Sequence, residues 1–220
     1  MNEYLFLFHS LVVLAFLLGA RFLGKEALVA FVSSMWFFAN LFVTKQISLF
    51  GFEVTASDVY AIGGMVGMSI IQEFWGKKEA TRSVWISFFL LLFTAVSSYL
   101  HLQYLPSVHD SMQPHFQALL QSTPRLVLAS IVTFFITARL DIVTFGLLQR
   151  IQTLPFPVRS AISTALVMLI DTILFSFLGL YGIVSSLADV CIISYAVKLL
   201  VLCILTPFLS FTRSYDPISI

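Results

Sequence analysis

The sequence predicts an all-α integral membrane protein, a bundle of about seven transmembrane helices. Apolar residues make up 59% of its 220 residues and charged residues only 10%, while Phe alone occurs 23 times. The mean hydropathy is +0.98. Soluble domains contain roughly 45–50% apolar and about 25% charged residues, so this composition excludes a soluble globular protein. A net charge of +1 without a long basic run also argues against a nucleic-acid-binding protein.

Seven apolar runs approach the length that a bilayer crossing requires. The hydrocarbon core is about 30 Å thick, and a helix of roughly 20 apolar residues spans it. The connectors between the runs are short, except for a polar loop predicted over 101–124, and none is long enough to form a separate soluble domain. The predicted spans are residues 4–20, 27–43, 58–75, 83–102, 125–148, 159–182 and 185–210.

The loop charges predict the orientation in an inner (cytoplasmic) membrane. The chain starts without the positive charge of a cleaved signal peptide, which indicates a retained first helix. With seven spans, eight cations fall on one side and only Lys45 and Arg125 on the other. Cytoplasmic loops carry the excess of Lys and Arg, so we expect the N-terminus outside and the C-terminus in the cytoplasm. The eight cations are Arg21, Lys25, Lys77, Lys78, Arg82, Arg150, Arg159 and Arg213.

Charged residues inside the predicted spans are the first candidates for a functional site. Each costs about 2.5–3.5 kcal/mol on insertion scales, so such residues indicate function by default. Asp171 and Lys198 fall near the midplane of consecutive antiparallel spans, where they can form a charge pair or a shared substrate site. Arg139 and Asp141 are two residues apart and do not face each other, so each needs its own partner. The alternative interpretation is that these charges form interhelical ion pairs that only fix the packing.

The third span is rich in glycine, with Gly63, Gly64 and Gly67 close together. Small residues at this spacing predict close approach of a neighbouring helix. The alternative is an unwound segment that lines a cavity, which a membrane protein tolerates only where the backbone is protected from lipid.

Enzyme and metal-binding motifs are not recognisable in the sequence. Residues 19–25 read GxxxxGK, but Glu26 replaces the Ser or Thr that would hold magnesium, and the motif ends an apolar helix. His101, His109 and His115 lack the spacing of metal ligands, and no nucleophile stands beside a base. We therefore expect no enzymatic activity, no metal site and no cofactor.

A series of short motifs runs in order through residues 36–210. They are Ala39-Asn40, Lys45, Glu73-Phe74-Trp75-Gly76-Lys77-Lys78, Arg82, Pro124-Arg125, Asp141, Phe145, Arg159, Ser163-Thr164, Asp171-Thr172, Phe175, Tyr195, Lys198 and Thr206-Pro207. Together they resemble the queuosine precursor transporter family, a group of vitamin uptake transporters. Members of that family have six spans. The resemblance therefore implies an extra N-terminal helix over 1–26, a six-helix core over 27–212 and a cytoplasmic tail over 213–220.

The resemblance implies import of a 7-deazaguanine precursor of queuosine, either queuine or a base with a 7-cyano or 7-aminomethyl group. A carboxylate can accept the adjacent ring N–H and amine of such a base, and aromatic rings can stack on its flat face. The implied partners are this small nucleobase and the lipid bilayer, without nucleic acid, and a homo-oligomer is left open. The residues expected to bind substrate are Asn40, Glu73, Asp141, Asp171, Tyr195 and Lys198.

Some positions depart from the family pattern and leave the exact base open. Glutamines that are common three residues before each aspartate are here Ala138 and Met168, and Ser69 replaces an intramembrane aspartate. A function of another class also stands as an alternative, namely a membrane-embedded subunit that binds a partner protein through its intramembrane charges. A cavity at the level of Asp171 favours transport, whereas a dry and fully paired interface favours the subunit.

Overall fold

The computed structural model describes residues 1–120, 124–182 and 187–213, which fold almost entirely into helices. A π-helical turn, Ser176–Leu180, continues α6, and a 3-10 segment, Thr206–Arg213, continues α7. Residues 214–220, the predicted cytoplasmic tail beyond Arg213, lie outside the described residues. The helices are α1 Asn2–Phe22, α2 Lys25–Leu41, α3 Asp58–Gln103, α4 Gln113–Leu120, α5 Pro124–Leu148, α6 Phe156–Phe175 and α7 Leu187–Leu205.

Helix α3 supplies two membrane crossings because the chain reverses within it. Its 46 residues would extend about 69 Å if straight, roughly twice the hydrocarbon core. Gly76 interrupts it with φ 84° and ψ 172°, a conformation that suits glycine. The Oγ atoms of Ser33 and Ser87 lie 2.9 Å apart, while the neighbouring Val32 packs against Gly67. Since Gly67 and Ser87 would be about 30 Å apart in a straight helix, residues 58–75 and 77–103 lie antiparallel.

The structure confirms the predicted all-α membrane bundle. Five described helices, α3 among them, are long and apolar enough to cross a membrane. The reversal at Gly76 gives α3 a second crossing. Helix α2 has 17 residues, or about 25 Å, and is close to the length of a span. These crossings correspond to the seven predicted from hydropathy.

The glycines of the third span serve helix packing. A Cβ atom added at Gly64 would lie 2.8 Å from Cε2 of Trp36, and one added at Gly63 would lie 2.7 Å from Cγ1 of Val13. Residues 58–75 therefore press closely against both α1 and α2. Their backbone is helical throughout, so the close-approach interpretation is correct here and the unwound segment is not.

A β-hairpin that was not predicted from the sequence connects α2 to α3. Strands β1, Gln46–Leu49, and β2, Phe52–Thr55, pair antiparallel. Phe50 and Gly51 both have positive φ, 53° and 84°, as a two-residue type I′ turn requires. The hairpin is also tied to α1, because Asn2 donates to the carbonyl of Ser48 at 3.1 Å and Phe50 N–H donates to Glu3 at 3.1 Å.

The predicted polar loop over 101–124 is wrong in part, because most of its described residues are helical. Helix α3 continues to Gln103, and α4 forms over Gln113–Leu120. The ring of His101 packs edge-on against Phe116 with centroids 5.1 Å apart, which joins these two helices. The remaining loop, 104–112, is exposed along its whole length. His101 and His115 therefore lie in helices, and only His109 lies in the loop.

The bundle has two distinct ends, which we call the hairpin side and the kink side. The first residues of α1 contact the hairpin, and Arg21, near its other end, lies over the rings of Phe74 and Trp75 at 4.0 and 4.8 Å, beside the kink at Gly76. Arg21 and Arg159 were counted above as loop cations, but both are buried, with 2% and 7% exposed.

Candidate functional site

A cavity of about 680 Å³ lies on the hairpin side of the bundle. Its size is within the range of about 300–1,000 Å³ that is typical of small-molecule sites. Segments from α2, the hairpin, α3, α5, α6 and α7 all contribute to its wall. Apolar groups predominate, with a limited set of polar side chains among them. Its aromatic and polar residues include Trp36, Asn40, Asp58, Thr133, Phe134, Asp171, Phe175 and Lys198.

Three charged side chains meet in the wall of this cavity. The Nζ atom of Lys198 lies 3.3 Å from Oδ2 of Asp171 and 3.7 Å from Oδ1 of Asp58. It also donates to Oγ1 of Thr172 at 3.1 Å. We call Asp58, Asp171 and Lys198 the charged triad. The predicted contact between Asp171 and Lys198 is thus present, and it includes a second carboxylate that was absent from the predicted site.

The hairpin positions Asp58 within the triad. Thr55, at the end of β2, donates to the carbonyl of Val43 at 3.0 Å, and its Oγ1 lies 2.9 Å from Oγ of Ser57. These contacts fix the chain just before α3 begins. Asp58 is the first residue of that helix, where the helix dipole favours a negative charge.

Three buried polar atoms of cavity-lining residues have no hydrogen-bond partner among the described residues. They are Nε1 of Trp36, Oγ1 of Thr133 and Oδ2 of Asp58. The three residues are only 5%, 2% and 3% exposed. An unpaired buried polar group is unfavourable, so such groups usually find a partner in water or a ligand. Two hydrogen-bond donors and one carboxylate oxygen are therefore the unsatisfied polar groups of the cavity-lining residues that the structure describes.

Aromatic rings form one wall of the cavity. The ring centroids of Trp36 and Phe134 lie 4.8 Å apart with planes tilted by 58°, and Phe175 also lines the cavity. The indole of Trp36 lies directly over Gly64, so the absence of a side chain at Gly64 determines how deep the indole sits. Flat aromatic surfaces of this kind can stack on a planar ligand.

The end of α6 widens where it reaches the cavity. Ser176 and Leu180, the first and last residues of the π-helical turn, contribute to the cavity wall. Nε of Arg125, at the start of α5, donates to the carbonyl of Leu178 within this turn at 2.8 Å. Single π-helical turns occur frequently at functional sites, and this one extends the part of the wall that Asp171, Thr172 and Phe175 of α6 already form.

The structure places three of the six predicted binding residues in the cavity wall. Asn40 lines it together with Asp171 and Lys198, and the amide nitrogen of Asn40 donates to the carbonyl of Trp36 at 3.0 Å. Asp141 and Tyr195 are not among the described residues of the wall.

Asp141 and Tyr195 instead connect neighbouring helices. Ser163 donates to Oδ1 of Asp141 at 2.6 Å, and both residues are buried between α5 and α6. The hydroxyl of Tyr195 donates to the carbonyl of Ala165 at 3.2 Å, which joins α7 to α6.

Glu73, the remaining predicted residue, lies on the kink side. Nη2 of Arg159 is 2.6 Å from its Oε1, and Nε2 of Gln149 donates to its Oε2 at 3.1 Å. Gln72 next to it donates to the carbonyl of Ile142 at 2.9 Å. These contacts join α3, α5 and α6, and we call Gln72, Glu73, Gln149 and Arg159 the kink-side cluster.

The positions where the family commonly has glutamine face the core. Ala138 and Met168 are 4% and 0% exposed, and both belong to the main hydrophobic cluster. Neither is among the described residues that line the cavity. The polar side chains that do line the cavity include Asn40, Asp58, Thr133, Asp171 and Lys198. Asp58 is the first residue of the third predicted span, but nothing in the sequence placed it beside Lys198.

Known proteins resemble this chain in sequence. Residues 55–212 match the model of a family described as "Putative vitamin uptake transporter". A relative from Bacillus subtilis (strain 168), named "Probable queuosine precursor transporter", is 30% identical over 182 residues, which cover 79% of this chain and 76% of the relative. No solved structure matches the chain. The region matched by the family model contains the whole charged triad and the kink-side cluster.

Proposed function

Since the chain belongs to the vitamin uptake transporter family, we propose that it imports a 7-deazaguanine precursor of queuosine into the cytoplasm. Family membership makes the protein a multi-pass membrane transporter and not an enzyme. The Bacillus subtilis relative carries the name of a queuosine precursor transporter, which supports a nucleobase as the cargo. The identity of the base and the direction of transport are the parts that we propose.

The observation that carries the proposal is the cavity that joins aromatic rings to the charged triad. A deazaguanine is flat and presents a ring N–H beside an exocyclic amine. Asp171 is the most exposed member of the triad, with 15% of its side chain accessible, and its carboxylate can accept both N–H groups. Trp36, Phe134 and Phe175 line the cavity, and Phe175, the least buried of the three rings, is the one most open to a planar substrate.

The distribution of cations supports import. The cavity lies on the hairpin side, whereas Lys25 and Glu79 pair at 3.3 Å on the kink side, close to Lys77 and Lys78. Because cytoplasmic loops carry the excess of Lys and Arg, we assign the kink side to the cytoplasm and the hairpin side to the exterior. The cavity then faces the side from which an imported base arrives.

The cavity also favours transport over the alternative of a partner-binding membrane subunit. In a subunit, intramembrane charges would be expected to pair within a dry interface. Here the triad borders a space of about 680 Å³, and Trp36, Asp58 and Thr133 each keep an unpaired polar atom. Such an arrangement suits a ligand that enters and leaves.

Uptake measurements in cells that cannot make queuosine test the proposal. The chain is expressed in these cells, and queuosine in transfer RNA is measured after addition of queuine, the 7-cyano base or the 7-aminomethyl base. We expect at least one base to restore queuosine, and uptake of that base in radiolabelled form to be reduced by an excess of the unlabelled base. Asp171→Asn should abolish this restoration. The matched control is Asp110→Asn, in the exposed loop, which should leave it intact. Failure of all three bases with inserted protein would contradict the proposal.

A further inference from the structure

We propose that the charged triad binds a protonated alkylamine on the transported base, and that Asp58 selects for that group. This inference rests on the proposed function, since it specifies which deazaguanines the cavity accepts. The ligand class is a 7-deazaguanine with an ammonium group on its C7 substituent, such as the 7-aminomethyl base or queuine. The 7-cyano base, which is neutral, is the matched ligand without that charge.

The charge balance of the triad is the first argument. Asp58 and Asp171 provide two carboxylates, whereas Lys198 provides a single ammonium group. No other lysine or arginine lies among the described residues of the cavity wall. With both carboxylates ionised, the triad therefore carries one uncompensated negative charge. An uncompensated charge inside a membrane is costly, and a ligand with one positive charge removes that cost.

The hydrogen bonds of Lys198 are the second argument. Its ammonium group has three N–H donors. They face Asp171 at 3.3 Å, Thr172 at 3.1 Å and Oδ1 of Asp58 at 3.7 Å. No donor remains for Oδ2 of Asp58, which has no partner among the described residues. Its donor must therefore come from outside these residues, and an ammonium group supplies a charged one.

The surroundings of Asp58 are the third argument. Its side chain is only 4% exposed, so water screens its charge weakly and an ion pair formed there is strong. Nε1 of Trp36 and Oγ1 of Thr133 are also unpaired on the cavity wall. As donors, they suit the ring carbonyl of the base rather than its ammonium group. The polar groups thus divide into donors for the carbonyl and a carboxylate for the cation.

Uptake of the neutral and cationic bases by matched variants tests the inference. Wild type, Asp58→Asn and Asp110→Asn are compared with the 7-cyano and 7-aminomethyl bases in cells unable to make queuosine. A hydrogen bond to a charged group is commonly worth about tenfold in affinity or more. We therefore expect Asp58→Asn to lower uptake of the 7-aminomethyl base by about tenfold or more. Uptake of the 7-cyano base should fall much less, and Asp110→Asn should change neither.

If Asp58→Asn folds poorly, binding of the two bases to the purified wild-type protein tests the inference instead. The 7-aminomethyl base should raise the melting temperature of the detergent-solubilised protein more than the 7-cyano base at equal concentration. Equal stabilisation by the two bases, or equal losses of uptake in Asp58→Asn, would overturn the inference while transport itself stands. Wild-type protein that transports none of the bases would instead overturn the proposed function, and this inference with it.

Discussion

The guanidinium of Arg159 lies 2.6 Å from the carboxylate of Glu73, so the start of α6 is fastened to the kink-side end of residues 58–75. The two side chains are 9% and 11% exposed, and Gln149 adds a hydrogen bond to the same carboxylate. Charges on both partners are thus paired in a site that water barely reaches. On the opposite side of the bundle, the charged triad borders an open cavity.

Removing one partner of this ion pair should destabilise the protein. Loss of one member of a buried pair typically costs about 3–5 kcal/mol, because the other charge is left unpaired. Arg159→Met and Glu73→Gln should therefore each lower the melting temperature of the detergent-solubilised protein. The melting temperature of the double variant should fall by less than the sum of the decreases in the two single variants. Glu26→Gln, at a side chain that is 86% exposed, is the control, and a comparable loss there would contradict the prediction.

Within the charged triad, we expect Lys198→Met to reduce the yield of folded protein more than Asp171→Asn does. Lys198→Met leaves two carboxylates facing each other, while Asp171→Asn leaves Lys198 paired with Asp58. Asp171→Asn should therefore yield inserted, monodisperse protein that no longer takes up substrate. Size-exclusion chromatography and uptake measure the two effects separately. Uptake close to that of wild type in Asp171→Asn would show that Asp171 is only a packing partner.

The presence of Asp58 also determines what is expected of the double variant Asp171→Asn with Lys198→Met. This double change removes both charges of the Asp171–Lys198 pair. In the structure, it leaves the carboxylate of Asp58 without its cation. We therefore expect the double variant to be poorly folded and inactive. A triple variant that also carries Asp58→Asn should express better. Full recovery of transport by the double variant would rule out Asp171 as a binding residue.

Gly64→Ala should displace Trp36 and reduce uptake. The new Cβ would lie 2.8 Å from Cε2 and 3.0 Å from Cζ2 of the indole, and overpacking of this kind costs about 1–3 kcal/mol. Because Trp36 lines the cavity, a shifted indole changes the surface on which a base would stack. Gly19→Ala is the matched control, since nothing lies within 4 Å of the added atom. Equal uptake by the two variants would show that the position of Trp36 is not critical.

Cysteine labelling tests the orientation of the bundle. In a background with Cys191→Ser and Cys203→Ser, an impermeant thiol reagent should label Ser107→Cys in intact cells. It should label Lys78→Cys only after permeabilisation. Both positions are exposed, whereas Ser83 is 1% exposed and unsuitable as a reporter. The reverse pattern of labelling would place the hairpin side, and with it the cavity, in the cytoplasm.

Much of the membrane architecture could be predicted from the sequence, because a bilayer imposes a length and an apolar composition on every span. The pairing of Asp171 with Lys198 was also predictable, since both lie at similar depth on consecutive helices. The approach of Asp58 to Lys198 was not, because it depends on where the hairpin starts α3. The division into an added helix over 1–26 and a core over 27–212 stays a prediction.

The hairpin was missed for a local reason. Its turn uses Phe50 before Gly51, whereas the common signal for a type I′ turn is Asn or Asp before glycine. The glycines of the third span were recognised, but only the structure shows that Gly64 supports Trp36. The sequence could not reveal the unpaired polar atoms of Trp36 and Thr133. Whether a buried polar atom has a hydrogen-bond partner depends on which residues pack around it in the folded chain.

The link between the first residues of α1 and the hairpin has a practical consequence for protein engineering. Asn2 and Glu3 hold the backbone of Ser48 and Phe50, and Gln46 and Thr55 of the same hairpin line the cavity. A fluorescent protein or purification tag fused at Met1 would therefore perturb the contacts that hold the hairpin, which forms part of the cavity wall. The exposed loop over 104–112 is the better place for an inserted epitope or a rigid fiducial domain for electron microscopy, because exposed loop tips tolerate insertions well.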